Sequence, residues 1–393
     1  MTRSGHSIKR GVLGLVIALV AGAGCLGVDR STWLGPPKPI APGVDLFQTT
    51  DETLVSPQGP IAVYLLRLDL NRVAIDAALG QDEVMGAERV DTVAQRRRAI
   101  AAVNAGFFNV RNGEPLGLLK VGGAIVSDNT LTRAAVAVQS PPDARQQLDF
   151  DQAAVKLEAR FSMDGQPAAV DIAGVNTTRE RGKLMLYTPQ YHTDTDTAGN
   201  GTEWVLAGNP LRVSHVRRDL GRTPIPRDGV VLSFGGLDPP SPLDWLAPGT
   251  TVTLVPAWKI LNGTPPERFE SARDIFNGAG LLRRDGATMA DWLATEVLQP
   301  ATFTDVRHPR TLLGVDRRGD LWLVAIDGRQ PAYSVGMRFD EMIALCLRLD
   351  LVDAVNLDGG GSTTMVVGGE IVNRPADAAG PRPVSDAILV RSR

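Results

Sequence analysis

The runs Leu321-Trp-Leu-Val-Ala-Ile-Asp-Gly-Arg329 and Ala354-Val-Asn-Leu-Asp-Gly-Gly-Gly-Ser-Thr-Thr-Met365 decide how the fold is read. The first begins with six consecutive apolar residues and closes on an Asp-Gly turn, the pattern of a buried strand. Between the two, Phe339, Met342, Ile343, Cys346 and Leu349 recur three and four apart, which gives a helix a single apolar face. The second run is another buried strand, and it leads into Asp358-Gly-Gly-Gly-Ser362. Thr363 to Val367, Gly368-Gly369 and Glu370 to Val372 then read as a hairpin. Strand, helix, strand and glycine loop in this order predict an α+β or α/β chain, with a mixed β-sheet core and flanking helices.

Working outward, Ile100-Ala-Ala-Val-Asn104 reads as a buried strand with Asn104-Ala-Gly-Phe-Phe-Asn109 at its carboxyl end, where open α/β sheets hold ligands. Ile61 to Leu68 and Val73 to Leu79 read as paired strands, and Val90 to Arg98 as a short helix. From 139 to 266, Pro, Gly and polar turns surround strands such as Lys183-Leu-Met-Leu-Tyr187 and Val230-Val-Leu-Ser-Phe234, which predicts a β-rich subdomain within a main domain of residues 44–393. Pro36, Pro37, Pro39 and Pro42 make residues 25–43 a tether. Residues 1–24 start basic and continue with the apolar run Gly11 to Ala23, too short to cross a bilayer, so they read as a secretory signal. Gly22-Ala23-Gly24 before Cys25 has the layout of a bacterial lipoprotein signal. Plain cleavage, lipidation of Cys25 and an uncleaved anchor all stay open. Export to the periplasm, cell surface or medium is expected, with membrane contact only through a lipid on Cys25.

The chain has 393 residues, 43% hydrophobic and 22% charged, the balance of a globular protein of one or two domains. Its 41 Gly and 27 Pro favour turns and short strands over long helices. Net charge is -3, and Arg3, Lys9 and Arg10 all lie in the signal, so no nucleic-acid partner is implied. Cys346, on the apolar helix, reads as a core thiol, and two cysteines make no disulfide framework.

Three glycines after Asp358 let the backbone turn sharply and approach a ligand, leaving amides for an anion or sugar. A tight hairpin entry is the bland alternative. No Lys follows, so this is not a Walker loop, and no cofactor is implied. Arg310 and Thr311 precede a strand beside a loop, where a guanidinium can clamp phosphate or merely form a surface ion pair. Asp327 ends a strand at an Asp-Gly turn. Asn104 can hydrogen-bond a sugar and Phe107 and Phe108 can stack on one, although paired Phe residues are more often core. His192-Thr-Asp194-Thr-Asp196 offers oxygens to calcium but lacks the Gly and Glu of an EF-hand loop. The histidines have no zinc spacing, and Ser362 lacks the turn of a serine hydrolase.

Together, Asn104-Ala-Gly-Phe-Phe-Asn, Arg310-Thr-Leu-Leu-Gly-Val-Asp, Asp327-Gly-Arg, Asn356-Leu-Asp-Gly-Gly-Gly-Ser-Thr-Thr-Met and Arg382-Pro-Val-Ser resemble the phosphodiester glycosidase family. The resemblance is strongest from about His308 to Val390. Ala105 and Leu312-Leu313 depart from the family pattern and bear on substrate shape more than on chemistry. The resemblance implies hydrolysis of a sugar 1-phosphodiester, releasing the sugar and leaving a phosphomonoester, and the export signal points to an envelope or extracellular glycan as the substrate. A phosphate monoester leaves as a stable anion, so positive charge on its oxygens matters more than a proton donor. On this reading Asp358 is the first choice for the carboxylate that activates water or attacks the anomeric carbon, and Asp327 the second. Arg310, with Arg133 or Arg382, and the amides of Gly359, Gly360, Gly361 and Ser362 hold the phosphate. Asn104, Gly106, Phe107, Thr311, Asn356 and Thr363 complete the substrate site. A glycan-binding or assembly module without turnover and a metal-dependent phosphodiesterase remain as alternatives.

Overall fold

A computed structural model describes Arg30 and residues 32–393. The signal segment and Cys25 lie outside the described residues. The expected α+β or α/β class is overturned, because the chain is mostly β, with 43% strand and 12% helix. An eight-stranded sheet runs in the order Lys38–Ala41, Val44–Thr49, Val63–Leu68, Leu321–Ile326, Arg310–Asp316, Leu351–Asn356, Leu281–Arg284, Ala287–Thr288, every pair antiparallel. A seven-stranded sheet is built on Asn129–Gln139 and the long Gln147–Met163. Two five-stranded sheets complete the molecule. One lies in the middle of the chain around Gly229–Phe234, and one pairs Ala101–Asn104 with Met365–Val367 and with Asp386–Ser392.

The reason for the misreading is local. Leu321–Ile326, the helix Phe339–Arg348 and Leu351–Asn356 do form one strand-helix-strand crossover. Arg310–Asp316 lies between the two strands and pairs antiparallel with both, so no parallel ladder forms. A doubly wound sheet needs a long crossover for every parallel pair, and Phe339–Arg348 is the longest helix among the described residues. The expected pairing of Ile61 to Leu68, a strand at Val63–Leu68, with Val73–Leu79 is also corrected. The first joins the eight-stranded sheet, the second pairs with Asp386–Ser392, and the two sheets face each other.

Between them lies the largest core. Leu66, Leu313, Leu323 and Val355 from the eight-stranded sheet meet Ile75, Val103 and Ile388 from the C-terminal five-stranded sheet and Val136, Phe150 and Phe276 from the seven-stranded one. The other face of the eight-stranded sheet is covered by Phe339, Met342, Leu345 and Cys346 of the helix. The middle sheet packs Trp204, Leu206 and Leu232 against Val155, Leu157 and Ile275. Within the proline-rich stretch, Lys38–Ala41 pairs with Val44–Thr49. Where the main core ends, the strand ends that carry Asn104, Thr311 and Asn356 come together, and Asp358 follows.

Candidate active site

Asn104 is the hub. It is buried at the end of Ala101–Asn104, and its amide Nδ2 donates to the Asp358 carbonyl at 2.7 Å. Its Oδ1 accepts from the Thr311 hydroxyl at 2.8 Å and from the Thr364 amide at 3.1 Å. One side chain therefore joins both facing sheets to the glycine loop, and all of its bonds are internal. Asp358 N donates to the Ala105 carbonyl and Leu357 N to the Thr311 carbonyl, which locks the start of the loop. Thr363 is buried, and its carbonyl accepts from Asn373.

The loop amides do not form an open anion nest. Gly359 N donates to Asp358 Oδ1 at 2.9 Å, Gly360 N to the Pro309 carbonyl at 2.9 Å, and Ser362 N to the Gly359 carbonyl at 3.2 Å. Gly360 needs to be glycine, with φ +63°. At Gly361 a side chain would run into the ion pair of Arg382 and Asp377.

Asp358 remains partly open to solvent while surrounded by protein. Burial drives its carboxyl up to about 7, and the Asp386 carboxylate pushes the same way. The nearby Ser362 hydroxyl, the Gly359 amide and Arg382 pull it back in part. The Ser362 oxygen itself is buried without a partner of hydrogen-bonding geometry, as are Asn356 Oδ1 and Thr364 Oγ1. The Asn356 amide nitrogen is engaged with the Ala279 carbonyl at 2.8 Å. A carboxyl titrating near neutrality, with unsatisfied polar atoms on the residues around it, is poised for proton transfer to and from a polar ligand.

Asp386, which sequence reasoning passed over, is buried beside it, and its carboxyl is raised by burial. It accepts from Gly106 N at 3.0 Å and from the Ser385 hydroxyl. A Cβ on Gly106 would lie 3.2 Å from both of its oxygens, so the glycine belongs to the packing of that carboxylate. As the first residue of a buried strand, Asp386 carried no motif in the sequence.

The remaining candidates separate. Arg310 is buried, and its guanidinium donates to the carbonyls of Met337, Phe303 and Val306 at 3.0, 2.6 and 2.9 Å. It lies over the rings of Phe303 and Phe339, and burial lowers it to about 9. It therefore pins the 303–310 loop. Asp327 is buried, with burial raising its carboxyl, and it accepts from Asn373 Nδ2 at 2.8 Å, Arg374 N at 2.8 Å and the Tyr333 hydroxyl at 3.3 Å. Phe107 packs on Phe303, and Phe108 sits in a small core. Arg382 is paired with Asp377 at 2.8 Å. Arg133 lines a cavity of about 340 Å³ with Glu114, Leu116, Asp128 and Val175, in which no glycine-loop residue takes part. Asp194 and Asp196 both face Arg222 at 3.1 Å, so their charge is met by an arginine. Arg329 and His308 border the glycine loop. In the sequence Arg329 appeared as the last residue of the Asp327-Gly-Arg motif, with no role given to it, and His308 as one of four scattered histidines.

Residues 218–391 match the family model of phosphodiester glycosidases. The chain is 35% identical over 122 residues to the human N-acetylglucosamine-1-phosphodiester alpha-N-acetylglucosaminidase, covering 30% of this chain and 23% of that one. It is 38% identical over 94 residues to the Bos taurus enzyme of the same name, covering 22% and 18%. The matched segment thus spans less than a quarter of those relatives. Among solved structures, a protein of Burkholderia pseudomallei K96243 held to be exported is 26% identical with TM-score 0.72, covering 85% of this chain and 74% of that one. A hypothetical protein from Synechocystis shares the fold at TM-score 0.74 and 24% identity, covering 91% and 64%.

Proposed function

We propose that this chain, whose residues 218–391 match the phosphodiester glycosidase family model, is a hydrolase that releases a sugar from a 1-phosphodiester and leaves a phosphomonoester on the acceptor. The observation that carries the reading is the Asp358 carboxyl, raised to about 7 at the head of the glycine loop within the matched region. A carboxyl titrating near 7 is substantially ionised and still basic at neutral pH, as a group that accepts a proton from attacking water should be. In the step, a water oxygen bonds to the anomeric carbon and the carbon–oxygen bond to the phosphoryl group breaks, its electron pair staying on the phosphoryl oxygen. The water proton passes to Asp358. The leaving group is already anionic, so a second carboxylic acid is dispensable, and the closed hydrogen bonding of Asp327 is compatible with that.

Export, read from residues 1–24, favours envelope or extracellular glycans as the source of substrate. The names of the relatives make N-acetylglucosamine 1-phosphodiesters the first compounds to try. The test incubates purified protein with UDP-N-acetylglucosamine and a panel of sugar 1-phosphodiesters in oxygen-18 water, with Asp358→Asn as control. Sugar release by wild type alone, with the label in the sugar, supports the reading. Label in the phosphate would replace it with phosphorus–oxygen cleavage, and silence from folded protein would favour a binding module.

A further inference from the structure

Of the three arginines suggested by sequence to hold phosphate, two are engaged by other groups and the third lies away from the glycine loop. Arg310 is spent on carbonyls, Arg382 on Asp377, and Arg133 lines a separate cavity. Arg329 is not committed. It is exposed, and among the described residues no carboxylate lies within ion-pair distance of it or of Arg310. Its backbone sits in the left-handed region, φ +59°, unusual for a long side chain. The preceding Gly328 packs so closely on Pro309 that a Cβ would come 2.7 Å from its nitrogen. Backbone strain of this kind persists where the surrounding structure enforces it, often at functional sites.

That geometry places the guanidinium on the glycine loop. A Cβ on Gly360 would lie 3.1 Å from both terminal nitrogens and 3.3 Å from the central carbon, so the planar group lies flat against the glycine. Gly360 is two residues from Asp358, at most about 7 Å along the chain. Arg329 Nη2 is 3.3 Å from His308 Nδ1, and His308 Nε2 is 3.4 Å from the Thr302 carbonyl. Burial, with Arg310 and Arg329 nearby, lowers the imidazole below its usual value, which keeps it neutral and leaves Nδ1 to accept from the arginine. Two guanidinium groups beside one loop, neither with a carboxylate at ion-pair distance, form an arrangement that an anion relieves.

We infer that Arg329, seated on Gly360 and steadied by His308, holds the phosphoryl group of the substrate. This rests on the glycosidase reading above. As the anomeric carbon–oxygen bond breaks, the diester monoanion becomes a monoester dianion, and the added charge develops on oxygens facing this guanidinium, where it is worth most to the rate.

The test compares wild type and Arg329→Ala on a sugar 1-phosphodiester and on the para-nitrophenyl glycoside of the same sugar, which lacks phosphate. The expected result is a loss of about 10²- to 10³-fold in kcat/KM on the diester, with partial rescue by Arg329→Lys, and a change of about threefold or less on the aryl glycoside. In parallel, inorganic phosphate is titrated calorimetrically into wild type, Asp358→Asn and Arg329→Ala, and only the last should fail to bind. Equal losses on both substrates, or phosphate binding that is absent from wild type or undiminished in Arg329→Ala, overturn the proposal. If no diester is cleaved but phosphate binding still depends on Arg329, the anion site stands and the glycosidase reading falls.

Discussion

Two strands that flank Arg310–Asp316 in the eight-stranded sheet end alike. Leu321–Ile326 runs into Asp327-Gly328 and Leu351–Asn356 runs, through Leu357, into Asp358-Gly359. Both aspartates are drawn up by burial, yet their surroundings differ. Asp327 receives donors from Asn373, Arg374 and Tyr333 and ties the segment after the hairpin to the main sheet. Asp358 receives one amide from its own loop and keeps a side open to solvent. The number of donors converging on a carboxylate separates a structural tie from a group free to move a proton.

The sharpest way to break this contrast is Asp358→Asn. Turnover should fall about 10²- to 10⁴-fold, the scale of a lost general base. Its pKa in the folded state lies above the ordinary value, so stability falls as pH rises from about 4 to about 7, where the unfolded chain has ionised and the folded one has not. The variant, which cannot ionise, should melt no lower than wild type at pH 8. A large fall in Tm would put Asp358 with Asp327 as a structural group. Next in size is the pH profile of wild type: kcat/KM should drop about tenfold per unit below roughly pH 7 and level off above it. A profile flat from pH 5 to 8 would remove Asp358 as the base.

Asp327→Ala should act on stability instead, costing about 2–4 kcal/mol in denaturant unfolding because three donors lose their acceptor, with near-normal kcat per folded molecule. A stable but inactive variant would make Asp327 catalytic after all. The smallest effect is expected of Gly360→Ala, roughly 1–2 kcal/mol from a Cβ in the left-handed region. Its kcat/KM on diesters should fall with the displacement of Arg329, and unchanged kinetics would detach that arginine from the loop.

Much of the chain was readable locally. The spacing of Phe339, Met342 and Cys346 marked the helix Phe339–Arg348, and the apolar run before Asn104 marked a strand that the structure places at Ala101–Asn104. Arg310 shows where such reading stops. An arginine at a strand start is a phosphate clamp or an idle surface charge in sequence, and only the approach of the carbonyls of residues 303, 306 and 337 reveals that its donors are used. Asp386 and Arg329 were missed for the converse reason, since what distinguishes each is a neighbour distant in the chain: Gly106 for one and Gly360 for the other.

The sequence by itself determined the short-range facts, namely the periodicities, the glycine turns and the motif string that points to a family, because these depend on residues within a few positions of one another. Tertiary structure alone decided which sheet each strand joined, and so that the fold is mostly antiparallel β rather than α/β. It also decided which of two Asp-Gly corners stayed open and which arginine came to lie on the glycine loop. Pairing register and desolvation are set by groups tens to hundreds of residues apart, as when Asn104 meets Asp358, and no local pattern encodes which distant donor will arrive.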